Sequence, residues 1–98
     1  MAVAHVDGDL VALGYQQIND LSSASTLTVP TGARIALIQC RDQAVRWRDD
    51  GTSPIGTVGM VIDAGFDFWY TGGNAGLTAI KFIEVTAGAE LNISYYSA

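Results

Sequence analysis

Apolar and polar residues alternate with period two in short runs along this chain, and no window of eleven or more residues carries a helical stripe. The runs fall at residues 10–18, 27–29, 34–41, 43–48, 58–62, 66–71, 79–85 and 90–96, with Gly, Pro, Asn and Asp between them, and in the first of them Leu13 and Tyr15 fall on one side, Gly14 and Gln16 on the other. Seven to eight short strands punctuated this way predict an all-β domain, an antiparallel β-sandwich that is jelly-roll-like. Residues 34–41 are apolar on both faces and belong at its centre, whereas Pro30 ends or edges the strand before it. Residues 1–9 hold no period and read as a loose N-terminal arm, which leaves 10–98 as a single sandwich domain. A chain of 98 residues supports one thin core, burying about 60 to 70% of its unfolded surface.

Three segments repeat one device: Val29-Pro30-Thr31-Gly32, Ile62-Asp63-Ala64-Gly65 and Val85-Thr86-Ala87-Gly88 each set a glycine three residues after a β-branched strand end. Each predicts a tight corner whose glycine adopts a backbone that larger residues resist. The run 71–76, with three glycines and Asn74, reads as a mobile loop.

Composition narrows function. Only 15% of residues are charged, so Ser, Thr, Gly and apolar atoms must cover much of the surface, as suits a surface covered by partners. Five cations and a net charge of -5 argue against nucleic acid, which needs clustered Lys and Arg. No apolar run approaches the ~18 residues of a membrane span, and residues 1–5 lack the features of a signal peptide. The single cysteine, Cys40, cannot form an intrachain disulfide and reads as a small buried hydrophobe in a reducing compartment. Asn92-Ile93-Ser94 matches the glycosylation sequon by chance, in mid-strand.

Chemistry is sparse. His5 is the one histidine, so no His pair can hold metal and no nucleophile has a well-placed base. Asp7-Gly8-Asp9 starts like a calcium loop, but Val11 stands where a third oxygen ligand belongs. The glycines at 72–76 lack the Lys-Ser or Lys-Thr of a phosphate loop. The expectation is a protein without catalytic residues, metal or cofactor.

Contact surfaces are better marked. In Val45-Arg46-Trp47-Arg48-Asp49-Asp50-Gly51 alternation puts Val45 and Trp47 on one side of a strand, Arg46 and Arg48 on the other, with a turn at Asp50-Gly51. The arginines either pair with Asp49, Asp50 or a neighbouring strand, or form a subunit contact, where Arg and Trp are enriched. Phe66, Phe68, Tyr70 and Phe82 alternate towards the core, and Trp69 with one of Tyr95 and Tyr96 falls opposite. Those outward rings suit a protein interface better than a sugar platform, because only Asn74 and Asp67 stand out as planar polar partners. The interface candidates are therefore Arg46, Arg48, Asp49, Asp50, Trp69, Asn74 and Tyr96.

The string Gln43-Ala44-Val45-Arg46-Trp47-Arg48-Asp49-Asp50-Gly51-Thr52-Ser53-Pro54, with Val58-Gly59-Met60 and Ala79-Ile80-Lys81-Phe82-Ile83-Glu84, resembles small structural proteins of tailed bacteriophages. In that group a strand, an Arg-Trp-Arg-Asp-Asp-Gly turn, a Pro, a Gly-Met pair and a final aromatic-rich pair of strands follow in this order. The similarity runs over residues 27–96 and leaves the first 26 outside. The resemblance implies a β-sandwich virion component, foremost a head decoration or cement protein, otherwise a neck, tail or fibre-base subunit. It further implies that the protein acts by contact with the major capsid protein or another virion subunit, as a dimer or trimer, in the virion and in the host cytoplasm during assembly. A carbohydrate-binding module is the alternative from another class.

Overall fold

A computed structural model describes residues 10–97; the expected arm, with His5, Asp7 and Asp9, lies outside the described residues. The central strand is β3 (Ile35–Arg41), in which Ile35, Ala36, Ile38 and Cys40 are all buried. Around it run β1 (Val11–Ile18), β2 (Ser25–Thr26), β4 (Val45–Arg48), β5 (Met60–Ile62), β6 (Asp67–Tyr70), a short helix α1 (Gly73–Ala79), β7 (Lys81–Glu84) and β8 (Glu90–Ser97). They form two four-stranded sheets, ordered β1-β8-β3-β6 and β2-β7-β4-β5, with every pairing antiparallel. The all-β sandwich expected from the alternation is the observed fold.

The pairing is nested. β4 lies against β5, β3 against β6, β2 against β7 and β1 against β8, so the chain follows one long hairpin whose successive rungs alternate between the two sheets. Side chains of alternate residues meet between the layers: Ile38, Cys40, Leu91, Ile93 and Tyr95 from one sheet face Val45, Ile62 and Phe82 from the other. Leu21, Leu27, Leu77 and Ile80 close the ends. Each fully buried aliphatic side chain contributes about 1.5 to 3 kcal/mol relative to exposure, which lets so small a core hold.

All three repeat glycines take the positive φ that the repeat predicts, Gly88 at 103°, and two of the corners also close a turn hydrogen bond. Ala33 N–H donates to the Pro30 carbonyl at 3.1 Å and Phe66 N–H to that of Asp63 at 3.2 Å, with Gly32 and Gly65 each at φ 88° in the third position. That is the pattern of a type II turn, whose third residue needs a positive φ. The corner from β3 to β4 uses no glycine: Gln43 N–H donates to the Arg41 carbonyl at 2.8 Å across Asp42, which sits at φ 72°.

Four expectations are corrected. Residues 71–76 are not a mobile loop, since Gly73–Ala79 forms α1 with Leu77 fully buried beneath it. The glycines there make room: a Cβ on Gly72 or Gly76 would collide with the Tyr70 phenol. Phe66 is not core; as the last residue of its turn it precedes the pleat of β6 and stands 65% exposed. In β1 an irregularity between Ala12 and Gly14 breaks the alternation, so Leu13 packs on the core while Tyr15 points out, and the two do not share a side. The strand expected at 27–29 lies two residues earlier, at Ser25–Thr26, where it pairs with Lys81 and Phe82.

Candidate functional site

β4 carries the stretch singled out by the sequence, and the alternation holds: Val45 is buried and Trp47 packs inward on the core, opposite Arg46 and Arg48. The arginines are engaged within their own chain. Arg46 donates from Nε to the Gly56 carbonyl at 3.1 Å and from Nη1 to that of Gly59 at 2.9 Å, strapping the 49–59 loop onto the sheet. Arg48 grips Asp50 with two bonds, Nε to Oδ1 at 3.1 Å and Nη2 to Oδ2 at 2.6 Å. Arg48, and then the Thr52 N–H, hold the Asp50 carboxyl below its ordinary range, although both side chains face solvent and the pair adds little stability. Asp49 turns the other way and accepts a 2.6 Å bond from the Tyr70 hydroxyl. Pairing within the chain is the arrangement observed.

Beyond this turn the sandwich is open. β5 and β6 are the outer strands of their sheets on one side, and between them Trp47 stacks on Phe68, ring centroids 5.7 Å apart and planes 11° from parallel. A hollow of about 590 Å³ lies between Trp47, Met60, Val58 and the Asp49-Asp50 turn, and another of about 330 Å³ between Trp47, Met60, Phe66 and Phe68. Trp47 and Met60 line both, and Met60 is 61% exposed.

A second surface is the outward face of the β1-β8-β3-β6 sheet. Trp69, 37% exposed, lies 5.7 Å from Tyr96 between ring centroids, so it is Tyr96 that shares the outward face and Tyr95 that is buried. Tyr15 Oη donates to Asn92 Oδ1 at 2.5 Å and Gln17 Nε2 donates to the same oxygen at 3.0 Å. Register places Gln39 opposite Asn92 and Asp67 opposite Gln39, so planar polar groups run across three neighbouring strands. Sequence reasoning missed Tyr15, Gln17, Gln39 and Asn92, because each is an ordinary polar strand residue until pairing between distant strands aligns them. Asn74 joins neither surface; its amide donates to the Ala33 carbonyl at 3.1 Å and fastens α1 to the chain before β3.

Cys40 is buried, its thiol directed at the Gln43 carbonyl 3.1 Å away, and burial pushes its pKa up. Among the described residues no group of three or more His, Cys, Asp or Glu is placed to hold a metal ion, and no helix is long and apolar enough to cross a membrane. No protein-family model matches the chain, and comparison with curated proteins and with solved structures gives no match.

Proposed function

We propose that this chain is a structural subunit of a tailed-bacteriophage virion, a decoration or cement protein that binds the assembled head through protein contacts. The observation that carries the reading is the nested strand order β1-β8-β3-β6 and β2-β7-β4-β5, which we take as that of a jelly roll, an architecture common in viral capsid proteins. A fold hosts many functions, so the weight rests on its agreement with the motif resemblance: Arg46 to Asp50, Gly59 and Met60 form one corner of the sandwich, beside the open hollows. A subunit that binds neighbouring capsomers only in the assembled shell stabilises that shell by mass action. Co-sedimentation with purified heads, followed by image reconstruction of the particle, is the test. Density at the neck, tail or fibre base would move the protein within the virion, and no particle density would end the reading. Sedimentation analysis of the free chain decides between monomer, dimer and trimer.

The outward face with Tyr15, Trp69 and Tyr96 beside Gln17, Gln39 and Asn92 favours a second reading, a carbohydrate-binding module, since rings stack on sugar faces and amides bond hydroxyls. Retention on polysaccharide columns, abolished by Trp69→Ala, would support it.

A further inference from the structure

The side of the sandwich bounded by β5 and β6 is an unfinished edge. Among the described residues neither strand has a further strand beside it. Exposed edges are commonly blunted with charge or proline; here β5 reads Met60-Val61-Ile62, with Met60 and Val61 exposed and Phe66 projecting nearby. The two hollows are apolar at their floor, where Trp47 and Phe68 lie, and acidic around their rim, which carries Asp49, Asp50, Asp63 and Asp67. Among the described residues Arg48 is the one cation lining them, and both its bonds go to Asp50.

We propose that this edge receives an extended segment of another protein, laid along β5 as an added strand, with apolar side chains entering the hollows and Lys or Arg between them facing the rim carboxylates. Alternate residues of an extended chain point to opposite sides, so backbone bonding to the edge, apolar filling and charge pairing can be met together. The charge of the site selects this partner over two others. A second copy, docked edge to edge about a two-fold axis, would set Asp63 and Asp67 against their own counterparts in a chain of net charge -5. The chain's own residues 1–9 offer Asp7 and Asp9 and neither Lys nor Arg. The inference deepens the virion reading and rests on it only in holding that the protein works by contact.

The test uses the full chain carrying Trp69→Phe, so that Trp47 alone reports by fluorescence, and two synthetic peptides, one alternating valine and lysine, the other valine and glutamate. The lysine peptide is expected to shift the backbone amides of residues 60–62 and the Trp47 emission, and to weaken as salt rises. Met60→Lys should reduce its affinity at least about tenfold with little change in melting temperature, because Met60 is exposed. Asp63→Asn with Asp67→Asn should erase the preference for lysine over glutamate. Equal binding of both peptides, amide shifts elsewhere, or full affinity in Met60→Lys would overturn the proposal. A concentration-dependent dimer abolished by Met60→Lys would overturn it too, assigning the edge to a second copy. Co-sedimentation separates the two claims: if Met60→Lys still sediments with heads as the unaltered protein does, the edge proposal fails while the virion reading stands. If neither sediments but the lysine peptide binds, the virion reading fails alone.

Discussion

The Tyr70 hydroxyl donates to the Asp49 carboxylate at 2.6 Å, tying β6 of one sheet to the turn that leaves β4 of the other. Burial first, and then this bond and the nearby negative charge, push the Tyr70 pKa well above its ordinary value, and burial pushes that of Tyr95 up to about 12.

Both phenols hold their protons longer folded than unfolded. Above the unfolded pKa of about 10 the folded chain therefore binds more protons, and stability must fall as pH rises. Below that pH the contribution is fully present. Denaturant melts across the alkaline range should show a steady loss of midpoint starting near pH 10, and ultraviolet titration should show the Tyr70 and Tyr95 phenolates forming at higher pH in the folded chain than in the denatured one. Tyr70→Phe should cost about 1 kcal/mol at neutral pH, since Asp49 is exposed and water replaces the lost donor.

Space around the same phenol decides the next outcome. Gly76→Ala improves helix propensity yet should destabilise the fold, by about 1 to 3 kcal/mol, because the new methyl meets the Tyr70 hydroxyl. Combined with Tyr70→Phe the cost should be less than additive, as the nearest clashing atom is gone. A double-mutant cycle by chemical denaturation measures the coupling.

The two arginines of β4 should behave differently. Arg46→Ala frees two loop carbonyls and should lower stability by about 1.5 to 3 kcal/mol, the range for bonds to a charged group. Arg48→Ala removes a solvent-exposed pair and should leave the melting temperature almost unchanged. Calorimetry of the two single variants is sufficient to distinguish them.

Asp42 spans the crossing from β3 to β4 at φ 72°, where a side chain costs about 1 to 2 kcal/mol. Asp42→Val should lower the denaturation midpoint and Asp42→Gly should equal or exceed the native chain.

What could be read from the chain follows from where information is local. β3 was legible because its apolar residues occupy both faces, and the sides of Val45, Arg46, Trp47 and Arg48 because a short strand keeps strict alternation. The corners at Gly32 and Gly65 were legible because one conformation demands one residue type. α1 was hidden because Gly72 and Gly76 answer to Tyr70, a steric demand that leaves a signature identical to flexibility. Leu13 and Tyr15 were set on one side because nothing local marks the irregularity between Ala12 and Gly14, which breaks the alternation there. The edge hollows went unseen, since Met60, Phe66 and Phe68 look like core until the sheets are found to end beside them.

The pairing of β1 with β8, from Val11 opposite Ser97 to Ile18 opposite Leu91, has a consequence during synthesis. Ribosomes release the chain from its N-terminus, so β1 emerges with β8, its one sheet neighbour among the described residues, still unmade, while the β4 and β5 pair at the hairpin's tip can close early. For most of translation β1 is an unclaimed strand, open to adding itself to any nascent neighbour on the same messenger. The exposed polar side chains of Tyr15 and Gln17 make that strand less adhesive during the wait.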